Sequence, residues 1–126
     1  MSFSIVIIDD IPQNADLFKD ICLEAGFTNV RCFNDPVSAV GEIGNGERPD
    51  FIITDNNMPV MKGTEVLRAL EKQFGGKLNA VVVTSDPGKV RFTGASYPVM
   101  EKGPGFYELF SGYLKHYHSV VCRRQS

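Results

Sequence analysis

At 126 residues, with 43% hydrophobic and 22% charged residues, the chain has material for one ordinary globular core. Its formal charge of −2 gives no positive footprint for wrapping nucleic acid or an anionic membrane. No apolar run approaches the roughly 20 residues that span a bilayer, and the start MSFSIVIIDD lacks the charged-then-apolar layout of a signal peptide. A cytoplasmic domain is expected, without direct nucleic-acid contact or membrane insertion.

In chain order, residues 3–8 (FSIVII) form a near-continuous apolar run, as a strand covered on both faces requires. A helix is predicted over 13–25, with Leu17, Ile21 and Ala25 recurring every fourth position and Gly26 placed for a left-handed cap. TNVRCF (28–33) alternates and suits a sheet edge. In NDPVSAVGEI, Asp35 can cap a second helix and Pro36 can take its first position, while Gly41 weakens it. FIIT (51–54) reads as another interior strand. The helix after it, over about 63–74, carries Val66, Leu67 and Leu70 on one face and is followed by Gly75.

AVVVTS (80–85) is a third interior strand. SDPGKVRFTGAS, with its two glycines and proline, predicts a brief or irregular helix. The segment near YPVMEK (97–102) is a short edge strand containing a proline. The last helix, over about 104–121, places Phe106, Leu109, Phe110, Tyr113, Leu114, Tyr117 and Val121 along one stripe. Strict alternation of parallel-type strands and helices predicts a doubly wound α/β sandwich. Ligands bind such sheets beyond the carboxyl ends of the strands, where the winding reverses.

At those ends stand Asp9 and Asp10, then Asp55, then Thr84 and Ser85, then Lys102. Any one carboxylate is commonplace as a cap or a solvated charge. Three crowded together with limited hydration repel one another, so the crevice calls for a cation. Lys102 supplies one charge. With no His or Cys among the acids, a hard oxygen-liganded ion, Mg2+, suits better than zinc. Carboxylates, Mg2+, a lysine and a hydroxyl together suit a phosphoryl group in transfer.

DD after the first strand, DNNMPVMKG after the third, TS after the fourth and a lysine after the fifth resemble the receiver domain of two-component response regulators over essentially the whole chain. The resemblance implies a three-layer flavodoxin-like sandwich with a five-stranded parallel sheet of order 2-1-3-4-5. It implies that residues 1–126 are a single receiver domain with no output domain in this chain. By position, Asp55 would accept the phosphoryl group from a sensor histidine kinase, a phosphotransfer protein or a small acyl phosphate. Asp9, Asp10, Asp55 and the Asn57 backbone carbonyl would hold Mg2+, Thr84 would donate its hydroxyl to the aspartyl phosphate, and Lys102 would pair with a phosphoryl oxygen. The outcome would be a switched interaction with a downstream protein or a fused output domain. Catalysis would be limited to the chain's own phosphorylation and dephosphorylation. The Met58-Pro59 turn is expected to keep the following backbone extended, and Gly63 to admit the tight start of the third helix.

Asn57 and Asp86 resemble the family positions that tune phosphoryl lifetime, although Asp86 before Pro87 also suits a helix N-cap. Other positions depart from the family. Val99 stands where an aromatic ring is usual and Gly103 where a proline follows the lysine, with Tyr97, Pro98 and Pro104 nearby but out of step. These departures leave open a phosphorylation-independent interaction module, a pseudo-receiver. A haloacid-dehalogenase-type Mg2+-dependent phosphohydrolase would need D-x-D after the first strand, which IDDIP lacks. GNGERPD lacks phosphate-loop spacing. The remaining readings are bland: His116 and His118 are expected in solvent, Tyr107 and Tyr113 at a partner surface or in the core, and Cys22, Cys32 and Cys122 as reduced thiols.

Overall fold

Strand positions with alternating parity feed two separate cores, and this alternation sets the architecture. The computed structural model describes residues 3–125. Along it run β1 (Ser4–Ile8), α1 (Pro12–Ala25), β2 (Asn29–Phe33), α2 (Pro36–Gly44), β3 (Phe51–Asp55), α3 (Gly63–Phe74), β4 (Ala80–Thr84), β5 (Val99–Glu101) and α4 (Phe106–Gln125). Ile5, Ile7, Phe51, Ile53, Val81 and Val83 point to one side, where Phe18, Ile21 and Cys22 of α1 meet Phe106, Phe110 and Leu114 of α4. Val6, Ile8, Ile52 and Val82 point to the other, against Ala39 and Ile43 of α2 and Val66, Leu67 and Leu70 of α3.

All pairings are parallel, in the order β2-β1-β3-β4-β5. This is the doubly wound sandwich expected from the alternation, in the flavodoxin-like order that the resemblance implies, with β2 and β5 at the edges. The winding reverses between β1 and β3, which pair from Ile5↔Phe51 to Ile8↔Thr54. The carboxyl ends of these two strands therefore open side by side, and Asp9, Asp10 and Asp55 stand there.

Local details both match and correct the sequence. Gly26 caps α1 at φ 116°, and a Cβ there would also lie 2.6 Å from the His118 ring, so glycine is required by conformation and by space. Asp35 caps α2 by accepting from the Val37 N–H at 3.1 Å. On α1 the buried stripe runs through Ala15, Phe18 and Cys22 together with Ile21 and Ala25, whereas Leu17 is exposed. On α4, Leu109 and Tyr113 leave the stripe and face solvent, because the helix buries only the arc centred on Phe110 and Leu114. His116 is exposed, but His118 is half-buried, edge-on to Phe27 with ring centres 4.9 Å apart. Among the described residues no helix is long and apolar enough to cross a membrane.

Between β4 and β5 the expected irregular helix is a single 3-10 turn, Pro87–Lys89, followed by coil to Pro98. Asp86 precedes that turn without a side-chain cap bond; its carboxylate pairs with Lys89 at 3.5 Å instead. Val90 and Tyr97 seal the crossover onto the α2–α3 core.

Candidate functional site

β1 delivers Asp9 into a site that strips it of water. Asp9 is 1% exposed; its Oδ1 accepts the Ile11 N–H at 3.0 Å, and its carbonyl accepts from Asn34 Nδ2 at 2.9 Å. Burial raises the Asp9 carboxyl above its ordinary value, opposed by the Ile11 N–H and Lys102 and reinforced by the charges of Asp55 and Asp10. Oxygens of Asp9, Asp10 and Asp55 all lie within 4.8 Å of one another.

Asp55 ends β3 and is itself 7% exposed. The loop behind it is fixed by Asn56, a residue whose part the sequence reading missed. Asn56 donates its backbone N–H to the Val83 carbonyl at 3.1 Å, and its buried side chain accepts from the Thr64 N–H at 3.3 Å. The available signal was an Asn inside turn chemistry, where its side chain can bond nearby backbone. Gly63 behaves as expected: a Cβ there would collide with the Asp55 carbonyl. The backbone after Met58-Pro59 is not extended, however. Val60 takes φ 72°, in the loop that folds back so that Asn56 can bond Thr64, eight residues on, at the start of α3.

From β4, Thr84 contributes a fully buried hydroxyl that accepts from Asn57 Nδ2 at 3.2 Å and from the Asp86 N–H at 3.1 Å. Both acceptor sites are used, so its own proton is free to be donated. Asn57 also reaches Ser85 Oγ at 3.5 Å. After β5, the Lys102 N–H bonds the Thr84 carbonyl at 2.8 Å, and its ammonium lies 3.6 Å from Asp9 Oδ2 and 3.8 Å from Asp55 Oδ1. The structure thus gathers Asp9, Asp10, Asp55, Asn57, Thr84 and Lys102 into one crevice. Asp86 and Ser85 stand at its rim.

Lys102 does not satisfy this cluster. Asp9 Oδ2 and Asp10 Oδ1 are buried and accept no hydrogen bond, a costly state for carboxylate oxygens. An all-oxygen set of three acids, two of whose buried oxygens accept no hydrogen bond, fits a hard divalent cation such as Mg2+. The remaining notable chemistry lies elsewhere. The buried Cys22 thiol is pushed up to about 12 by burial, and a surface cavity of about 570 Å3 opens at the opposite end of the sheet beside Ser4, Asn29 and Arg48.

A sequence model of the response regulator receiver domain matches residues 5–95. The chain belongs to the response regulator receiver domain family. The match includes Asp9, Asp10, Asp55 and Thr84 and stops before Val99 and Lys102, the region that departs from the family pattern. Among curated relatives, the chemotaxis protein CheY of Pseudomonas aeruginosa is 36% identical over 66 residues, 52% of this chain and 52% of that protein. CheY-3 of Vibrio cholerae is 31% identical over 67 residues, 53% of this chain and 51% of that protein. These alignments span about half the length of each relative.

Solved structures share the fold. The response regulator TrrA of Thermotoga maritima, in complex with Mg2+ and BeF, superposes with a TM-score of 0.71 at 23% identity over 91% of this chain and 98% of that one. A two-component transcriptional regulator AraC from Clostridium phytofermentans gives a TM-score of 0.73 at 24% identity over 98% of each chain. Receiver domains are signalling modules rather than enzymes of the ordinary kind, and two-component signalling is the setting of this receiver domain.

Proposed function

We propose that this receiver domain takes a phosphoryl group on Asp55 from a histidine kinase, a phosphotransfer protein or a small acyl phosphate, and thereby alters its binding to another protein. The observation that carries the reading is the cluster of Asp9, Asp10 and Asp55 within 4.8 Å, with two buried oxygens unsatisfied and a lysine and a free hydroxyl proton at its edge.

Asp55, held on a rigid buried strand, presents its carboxylate to an incoming phosphorus for in-line displacement. Asp9, Asp10, Asp55 and the Asn57 carbonyl would hold Mg2+, which supplies charge neutralisation for the transferring oxygens. Thr84 donates its hydroxyl to one phosphoryl oxygen and Lys102 pairs with another. Asn57 and Asp86 flank the path by which water would later hydrolyse the aspartyl phosphate.

The test is metal dependence. Incubated with acetyl phosphate and Mg2+, the chain is expected to gain the mass of one phosphoryl group; EDTA abolishes the gain and Asp10→Ala slows it severalfold. A chain unmodified with Mg2+ present would leave the phosphorylation-independent interaction module, which Val99 and the shortened crossover favour.

A further inference from the structure

α1 contributes a side chain to the acid crevice that no motif announces. Lys102 leaves the three-residue strand β5 into Gly103-Pro104-Gly105, and Gly105 takes φ 77°. The Lys102 N–H is held by the Thr84 carbonyl at 2.8 Å, but an anchored backbone does little to aim a long flexible side chain. Yet the lysine side chain is only 20% exposed, and its ammonium stands 5.7 Å from the centre of the Phe18 ring.

Phe18 is 1% exposed and wedged against three aromatic rings of α4. Its ring meets Phe110 at 5.4 Å and Phe106 at 6.1 Å, both edge-on, and Tyr107 at 5.7 Å. Ring packing of this kind fixes the plane of an aromatic side chain. An ammonium within about 6 Å of such a ring is attracted to its electron-rich face.

Resting on the reading of Asp55 as phosphoryl acceptor, we propose that Phe18 is a positioning residue that holds the Lys102 ammonium between Asp9 and Asp55, ready to meet the phosphoryl oxygens. Two carboxylates alone would draw the lysine toward either side of the crevice. The ring beneath it adds a third, uncharged contact that keeps the charge central and partly dry. Phe18 thereby ties the packing of α4 on α1 to the geometry of the pocket.

Pentafluorophenylalanine at position 18 separates this role from simple core filling, because it keeps a similar ring shape while inverting the charge distribution of the face. Two readouts are taken on the native, fluorinated and Phe18→Leu proteins: the Lys102 Hε proton shifts by NMR, and the rate of phosphorylation by acetyl phosphate with Mg2+. In the native protein the Lys102 Hε resonances are expected upfield of those of the other lysines, and Phe18→Leu returns them toward the common value. Fluorination is expected to slow phosphorylation about two- to tenfold, the range an interaction of this type supports, while thermal unfolding of the fluorinated protein stays cooperative. Native-like rates in the fluorinated protein would overturn the positioning role, as would Lys102 resonances indifferent to Phe18→Leu. If the native protein takes no phosphoryl group, the reading of Asp55 fails, and the Lys102 shifts alone decide whether Phe18 places the ammonium.

Discussion

Val60 adopts φ 72° with 90% of its surface exposed, so a β-branched side chain sits in left-handed backbone with no packing to offset the strain. The conformation belongs to the loop that Asn56 folds back onto α3, and it would suit Asn better. Val60→Asn is expected to raise the free energy of unfolding by about 1 kcal/mol, measured by urea denaturation; an unchanged midpoint would place the strain elsewhere. At this scale the sequence was legible where chemistry is local. Asp35, Gly26 and Gly63 could be assigned because a cap, a left-handed turn and a close backbone approach each have a residue type of their own. Phe18 was not, because what it touches is brought to it only by the tertiary fold, and Asn56 was missed although its place in turn chemistry was a local signal.

Among the elements, the crossover from β4 to β5 departs furthest from a regular helix, and a buried pair helps to pin it. Tyr97 donates its hydroxyl to Glu71 Oε2 of α3 at 2.6 Å and accepts the Leu78 N–H at 3.1 Å. Glu71 Oε1 also accepts the Ala95 N–H at 3.3 Å. A Cβ on Gly94 would collide with this carboxylate. The ring thus points away from the acid crevice and serves to fasten the loop.

Burial first, and the Glu71 carboxylate second, push the Tyr97 phenol up from 10 to about 12. The folded chain therefore keeps a proton that the unfolded chain releases near pH 10. The associated stability is intact below pH 10 and is lost as pH rises through 10 to 12. Tyr97→Phe is expected to cost about 1–3 kcal/mol at neutral pH by leaving buried partners unpaired, and to flatten the alkaline fall. Denaturant unfolding from pH 8 to pH 12 checks both; a variant as stable and as alkali-sensitive as the native chain would refute the latch. Sequence showed that this crossover would be short and irregular. It could not show the latch, because Tyr97 and Glu71 are 26 residues apart and belong to different elements.

For the molecule as a whole, the alternation of apolar strands and amphipathic helices carried the fold class, the resemblance to receiver domains carried the sheet order, and the strand-end acids carried the crevice. The boundaries shifted by a few residues at most, since caps and frayed turns rather than periodicity set them. What the acids do to one another is a three-dimensional matter: burial, not number, makes their charge costly. A ligand that neutralises them should alter the elements resting on Thr84, and those are weakly held until Val90 and Tyr97. Beryllofluoride with Mg2+ is therefore expected to slow or speed amide exchange chiefly in residues 84–95, with smaller effects at 97–104 and silence in the core strands. Unchanged exchange in 84–95 under saturating beryllofluoride would exclude this route.

The central claim, that Asp55 is the phosphoryl acceptor, is tested most directly by locating the modification itself. After treatment with acetyl phosphate and Mg2+, borohydride reduces an aspartyl phosphate to homoserine, and the peptide containing residues 51–62 can be sequenced by mass spectrometry. Homoserine at position 55, absent from Asp55→Asn, is the predicted result; homoserine at Asp9, Asp10 or any other position, or none at all, would contradict it.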